Sequence, residues 1–415
     1  MAKNLLFYRK KLNRNQKLCF VVKANCYGFG SEICKFFDDY IDYFAVSSWY
    51  EYSIIKKKIS KPVIILDPIY DKKELKKLII NKCELTVSNL KSLELILDIS
   101  QQLNMCVSVH IKVNSGMNRF GFCCEEDIKK LIKIIQKVQN IKIKGIFSHY
   151  FDAKNDYFAK YQINHLKYYM SFFEKLNYNY PIVHISASDG LKYNNFGNMA
   201  RVGYGIYNDK YYQTITLKTK ILEIQNLRWG DSAGYSSSYI SSEDKKIAII
   251  GIGYGDGIMR SIVEKGYVII NKKYAKILAI CMDSMIVDIN EIDCEINDDV
   301  IIIGKMGNVT ISICDIASWC GTIGYEVIVR ISQRVKRIYK GNRKCKLFLE
   351  SSEQENSLEL IAKELDQPLQ GWKSQFLTLF NLKLVEVLFL IYLLEVVLLA
   401  LNVLVEVLKK YIFLI

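Results

Sequence analysis

Between residues 18 and 207 the chain repeats one pattern: a short apolar or β-branched run, then a longer run with helical periodicity. The short runs fall near Leu18–Val22, Tyr43–Val46, Val63–Leu66, Glu84–Val87, Val107–Val113, Ile143–Phe147, Ile182–Ile185 and Arg201–Ile206. Amphipathic stretches such as Asp71–Ile80 (DKKELKKLII), Leu90–Ser100 and Glu125–Val138 lie between them. Strands that alternate with helices build a parallel sheet, because each crossover needs a dozen or so residues to return to the starting edge. Eight such units predict a closed (β/α)8 barrel, an α/β fold. An open doubly wound sheet is the alternative, but no G-x-G-x-x-G follows the first run.

After Tyr207 the rhythm changes. Alternating runs at Ile215–Ile224, Ile247–Ile252, Tyr274–Ile280, Ile286–Ile289 and Val300–Ile303 are separated by Gly and Asp turn signals, which predicts a mostly β C-terminal domain. The 415 residues therefore divide into a barrel over 1–207, a β domain over 208–345 and a tail over 346–415. The tail is atypical. Leu384–Leu408 is apolar except for Glu386, Glu395, Asn402 and Glu406, with a length that suits a membrane span and carboxylates that do not. Three readings stand for it: a membrane or membrane-surface helix, a hydrophobic association helix, or a non-native, frameshifted end.

Composition narrows the function. The net charge is +14, carried in short lysine clusters such as Lys56–Lys58 and Lys72–Lys77 that read as solvated helix faces, so no nucleic-acid partner is expected. Twelve cysteines occur at irregular spacing without a CxxC pair, and there are four histidines, so no metal site is expected. The opening MAKNLLFYRKK has no long apolar stretch ahead of a small-residue cleavage site, which predicts a cytoplasmic protein with reduced thiols.

A barrel of this kind keeps its active site at the C-terminal ends of its strands. The first run delivers Lys23 and then Tyr27; the fifth leads into Lys112 and Arg119; the sixth ends at His149; the seventh gives His184 and Ser188; the eighth gives Arg201, Gly203 and Tyr204. A lysine at the end of a buried strand is poorly solvated, which favours the neutral, nucleophilic amine. Such an amine can form a Schiff base with pyridoxal phosphate, whose phosphate would lie in the loops after strands seven and eight, beside Ser188, Gly203 and Tyr204.

These residues carry a family resemblance. VVKANCYGFG (21–30) resembles the cofactor-lysine motif of alanine racemases, usually K-A-N-A-Y-G-H-G. KVNSGMNRFGF (112–122), GIFSHY (145–150), HISAS (184–188) and ARVGYGIY (200–207) are similar to further barrel motifs of that family. GYSSSY (234–239), GIGYGDGIMR (251–260), CMDSMIVD (281–288) and GTIGYEVIVRISQRVKRIY (321–339) are similar to those of its second domain, in the same order.

The resemblance implies roles. Lys23 would hold pyridoxal phosphate and act as one base, with Tyr235 as the other. Tyr27, Ser188, Tyr325 and the backbone of Gly203 and Tyr204 would bind the phosphate. Arg201 would face the pyridine nitrogen, supported by His184, and His149 would pack beside the ring. Arg119 and the Met282 backbone would hold the substrate carboxylate, and Lys112 would be the carbamylated lysine. The activity implied is racemisation of L- and D-alanine for peptidoglycan, by a homodimer in which Tyr235 reaches the other copy's barrel. A serine or broad-specificity amino-acid racemase and a catalytically impaired, divergent copy are the alternatives. Several positions depart from the family: Phe29 for His, Asn114-Ser115 for Asp-Thr, Ala187 for Asn, Val202 for Pro and Ser236 for Gly. The family also carries a further β-domain strand ahead of this point, so residues 1–10 are expected to hold only part of that strand.

Overall fold

A computed structural model describes residues 1–176, 178, 180–193, 196–207, 214–340 and 346–350. Its first half is a nearly closed eight-stranded parallel barrel: β1 (Lys17–Val21), β2 (Tyr43–Val46), β3 (Val63–Ile65), β4 (Glu84–Val87), β5 (Val107–Lys112), β6 (Ile141–Phe147), β7 (Ile182–His184) and β8 (Met199–Val202). Neighbours in sequence pair in parallel, and β1 pairs with β8 from Lys17↔Met199 to Phe20↔Val202. At the seam between β7 and β8, Asn198 N donates to Val183 O (2.9 Å) and Arg201 N to Ser186 O (3.0 Å). The strands are buried on both faces, as parallel strands under helices must be, and so read as continuous apolar runs. Several of the intervening helices start on side-chain caps. Asp71 accepts from Glu74 N (2.8 Å) to open the helix Lys72–Ile80, and an Asn89–Ser92 capping box opens Leu90–Leu103. Each cap contributes about 1 kcal/mol.

The eighth strand differs from expectation. It starts at Met199 and ends at Val202, and a short helix, Tyr204–Tyr207, replaces its expected second half. Gly203 is the pivot. It lies so close to Tyr27 that a Cβ there would sit 2.5 Å from the phenol oxygen, and the chain turns inward over the barrel mouth.

The second domain is an antiparallel sheet built from β9 (Ile215–Leu227), β12 (Lys245–Ile250), β13 (Tyr267–Ile270), β14 (Lys273–Ile280), β15 (Met285–Asp288) and β16 (Asp299–Met306), with β17 (Val309–Ile311) outside β16. A separate small hairpin, β10 (Ser232–Ala233) with β11 (Tyr239–Ile240), carries Tyr235 in its connection. β16 also pairs with β9, which closes the sheet on itself around alternating buried residues such as Ile247, Ile277, Val287 and Ile301. Beyond β9 lie β19 (Lys346–Glu350), parallel to it, and β18 (Lys336–Lys340). The first five residues of the segment set apart as a tail are thus a strand of this sheet. The apolar stretch 384–408 lies outside the described residues. No helix among the described residues is long and apolar enough to cross a membrane. Residues Ala2–Lys10 form a helix, not the partial strand expected there, and the Asn4 side chain donates to Ile206 O (3.0 Å) over the barrel.

The two domains meet at the first barrel loop. Arg337 Nε donates to Gly28 O (2.9 Å) and Tyr339 Oη to Phe29 O (2.6 Å). Gly28 has φ +82°, and an added Cβ would lie 2.0 Å from Ile328 O. Gly28→Ala should therefore cost on the order of 3 kcal/mol, since a strained φ and an overpacked backbone contact act together. A chemical-denaturation midpoint unchanged from wild type would contradict this account of the domain junction.

Candidate active site at the barrel mouth

Past the end of β1 the chain makes a left-handed turn. Ala24, Asn25, Cys26 and Tyr27 all have φ between +52° and +55°. Such residues cost about 1–2 kcal/mol each. The turn persists because it is tied down: the Glu51 carboxylate accepts from Ala24 N and Ser47 N (both 2.7 Å), Gly28 N donates to Ala24 O (3.0 Å) and Gly30 N to Asn25 O (3.0 Å). The result leaves Lys23 half-buried at the mouth and folds Tyr27 back inside, where burial raises its phenol far above the ordinary value. Phe29, the departure from the family's histidine, stacks on Tyr207 (centroids 4.3 Å apart) in an apolar cluster with Phe20.

A cavity of about 190 Å³ opens here. It brings together Lys23, Tyr27, Lys112, Arg119, His149, Ser188, Arg201, Gly203, Tyr204 and Tyr325. Tyr325 of the second domain stacks on Tyr204 at 3.9 Å, and Ser188 Oγ accepts from Gly205 N (3.2 Å). Four of the lining side chains are basic, namely Lys23, Lys112, Arg119 and Arg201, against one carboxylate, Asp67. The cavity is therefore built for an anionic ligand. Asp67 was not singled out from the sequence, and neither was Phe147, which lies under the guanidinium of Arg201 (5.4 Å).

Arg201 is fully enclosed at the back. One terminal nitrogen donates to His184 Nδ1 (2.6 Å) and His184 O (3.0 Å), and the other to Ser148 O (2.8 Å) and His149 Nδ1 (3.0 Å). Its Nε–H has no protein acceptor among the described residues. An arginine has five donors in a fixed fork, so one N–H is left for whatever enters the cavity that Arg201 lines. Burial lowers its pKa to about 10, which leaves it charged at neutral pH.

Lys112 is 4% exposed, with its ammonium position 4.4 Å from the Phe147 ring centre. Burial first, then the Arg201 and Arg119 charges, lower its pKa well below that of an ordinary lysine. The pair Asn114-Ser115 keeps the contacts an Asp-Thr pair would make: Asn114 Oδ1 accepts from Asn118 N (2.9 Å) and Gly116 N (3.1 Å), and Ser115 Oγ bonds Ser148 Oγ (2.7 Å).

Burial and the Arg201 charge also hold the imidazoles of His184 and His149 well below the ordinary histidine pKa. Each stays neutral in the fold and takes up a proton on unfolding below about pH 6.5. Below that value the unfolded state binds more protons, so stability falls as pH falls. Fully buried His184 alone contributes about 1.4 kcal/mol per pH unit in this window. Thermal unfolding followed from pH 7 to pH 5 should show a falling Tm; a flat Tm would contradict the neutral assignment.

Three residues named from the sequence do not line the cavity: His184 lies behind Arg201, and Tyr235 and Met282 lie elsewhere. Tyr235 is 70% exposed and Met282 is 51% exposed, on the surface of the second domain. Ser236, where the family has Gly, sits at φ +56°, a conformation glycine would take without strain.

A barrel with an amine at its mouth, an arginine at its floor and a β domain leaning on its first loop defines a two-domain enzyme of small anionic molecules. Comparison with known proteins makes this specific. Residues 1–210 match the family model described as alanine racemase, N-terminal domain, and residues 214–339 match that described as alanine racemase, C-terminal domain. The alanine racemase of Thermodesulfovibrio yellowstonii is 30% identical over 332 residues, 78% of this chain and 90% of that protein. That of Clostridium novyi is 30% identical over 354 residues, 80% and 91% of the two chains. Among solved structures, an alanine racemase of Clostridium difficile 630 superposes with a TM-score of 0.75 at 29% identity, covering 83% of this chain and 94% of that one. The chain belongs to the alanine racemase family of enzymes.

Proposed function

We propose that this protein interconverts L- and D-alanine with pyridoxal phosphate, using two bases on opposite faces of the substrate, and so supplies D-alanine for peptidoglycan. One observation carries the reading: a single cavity presents both the Lys23 amine and the unpartnered Nε–H of a buried arginine. The residues fit the cofactor. Lys23 would hold its carbonyl carbon; Tyr27, Ser188, Tyr325 and the Gly203–Tyr204 backbone would hold its phosphate, where the absent Cβ of Gly203 leaves room; Arg201 would face its ring nitrogen. Pyridoxal phosphate, when bound, withdraws electrons from the amino acid's α-carbon and so acidifies the α-hydrogen. Arg201 keeps its own proton at neutral pH and donates only a hydrogen bond. Arg201 would thereby leave the ring nitrogen unprotonated, a setting that favours quick return of the α-proton over side reactions. A carboxylate at that position would do the reverse. Arg119 would bind the substrate carboxylate together with the Met282 N–H, and Lys112, whose burial favours the neutral amine, would react with carbon dioxide to steady Arg119.

The second base is Tyr235. Its exposure, like that of Met282, suits a homodimer in which each copy completes the other's site. A tyrosine serves as a base only beside positive charge that favours the phenolate, and a cationic cavity mouth supplies it. The cysteines among the described residues are free thiols, in keeping with a reducing cytoplasm.

Ala187 lines the cavity where the family has asparagine, and this favours a second reading, a racemase of broader range that also takes serine. Initial rates on L-alanine and L-serine, with products resolved by chiral chromatography, decide between the two. A kcat/KM for alanine well above that for serine supports the first, near-equal values support the second, and turnover of neither removes both.

A further inference from the structure

Behind Arg201 a hydrogen-bonded chain runs down through the barrel interior. Arg201 donates to His184 Nδ1 (2.6 Å), His184 Nε2 meets His110 Nδ1 (2.9 Å), and His110 Nε2 meets the Glu84 carboxylate (2.7 Å). Both rings are fully buried, and Glu84 is 6% exposed. Glu84 opens β4 and His110 lies in the middle of β5, so the chain ends well below the mouth that holds the cavity. Neither residue lines it.

We propose that Glu84 and His110 are positioning residues for the reaction: through His184 they fix the orientation of Arg201, so that its one remaining N–H faces the cavity. The proposal rests on the reading that Arg201 faces the cofactor ring. Its warrant is the direction of the bonds. An ionised carboxylate only accepts, so His110 Nε2 must donate to it. At the other end a guanidinium only donates, so His184 Nδ1 accepts from Arg201, His184 Nε2 donates and His110 Nδ1 accepts. Every proton in the chain follows from its two ends, one that can only accept and one that can only donate. With the opposite tautomer, His184 would turn an N–H toward the guanidinium and push it out of its pocket.

The surroundings support a fixed chain. Phe147 stacks on His184 (centroids 4.6 Å apart, planes 4° apart), which holds that ring in one plane. Gly145 makes room for the other: a Cβ there would sit 2.6 Å from His110 Nδ1. Glu84 also balances a buried cation. Arg201 and Glu84 form the two charged ends of one satisfied network, and removing either end leaves the other uncompensated in the core.

The test uses the full chain labelled with 15N-histidine, which has four histidines to assign. Without cofactor, His110 and His184 should both appear as neutral Nε2–H tautomers. Glu84→Leu should shift both away from that state and, in the cofactor-loaded enzyme, lower kcat about tenfold with KM for the amino acid unchanged, on the scale of losing an outer hydrogen-bond partner. The absorbance band of the bound cofactor should shift with it. Glu84→Gln, whose amide oxygen still accepts, should restore the tautomers and most of kcat. If Glu84→Leu does not fold, Glu84→Asp, one carbon shorter, should show the same displacement in weaker form. An Nδ1–H or doubly protonated His184 in the wild type overturns the proposal. So does a Glu84→Leu enzyme with wild-type tautomers and kcat, or a Glu84→Gln enzyme that keeps the tautomers yet turns over as slowly as Glu84→Leu. If the wild type racemises nothing, the functional reading fails, and the tautomer spectra still decide whether Glu84 orients this chain.

Discussion

Lys23→Ala should lower the rate of alanine racemisation by about 10⁴-fold or more, and the absorbance that marks a covalently held cofactor should vanish with it. The size of the effect follows from two losses at one atom. Nζ of Lys23 is the one amine at the mouth placed by the left-handed turn after β1, so the cofactor would lose its anchor. On the proposed mechanism the same nitrogen would be the base for one face of the substrate, and a positioned base contributes about 10²–10⁴ by itself. Lys112 does not substitute: it is enclosed deeper, against Phe147. Circular dichroism should be unchanged, because Lys23 makes no hydrogen bond or ion pair among the described residues. Full racemisation by Lys23→Ala would remove the account of the site.

Tyr235→Phe is the second large effect. Racemisation removes the α-proton on one face and returns a proton on the other, which a single base under a fixed substrate cannot do. Loss of the phenol should slow racemisation by about 10²–10⁴-fold, while Lys23 still exchanges the α-proton of one enantiomer with solvent. The proposed shared site adds a sharper result. Lys23→Ala and Tyr235→Phe should each be nearly inactive alone, but a homodimer of one with the other would contain one site with both bases intact. Mixing and re-equilibrating the two should recover about a quarter of wild-type activity, since half the dimers are mixed and half their sites are whole. No recovery in demonstrably mixed dimers would place Tyr235 in its own chain's site, or out of the site altogether.

The barrel was legible because its strands are buried on both faces and interrupted by capped helices. Lys23 was legible as a charge that stops an apolar run. The edges of the second domain were less so. β13 (Tyr267–Ile270) was not read as a strand, because its hairpin to β14 turns on Asn271 and Lys272 at positive φ without a glycine to announce it. The N-terminal helix was masked by the resemblance, which led to a strand being expected there. Within the site, the pairing of Arg201 with His184 came from the resemblance alone, though both residues were read at strand ends. Glu51, Glu84 and His110 came from neither route. The bonds Glu51 to Ala24, Glu84 to His110 and His110 to His184 each span 26 or more residues, and periodicity carries no trace of which carboxylate meets which backbone N–H or imidazole across a barrel. Phe29 and Ser236 were noticed as departures, but only packing shows that the first fills a cluster with Tyr207 and that the second carries strain at the base of Tyr235.

The central claim is that the chain moves the α-proton of alanine between two faces. Its most direct test is incubation of the full protein and pyridoxal phosphate with L-alanine in deuterated water, followed by NMR and chiral chromatography. The account predicts D-alanine carrying solvent deuterium at the α-carbon, with the reverse from D-alanine. Bound cofactor with neither exchange nor D-alanine would contradict it.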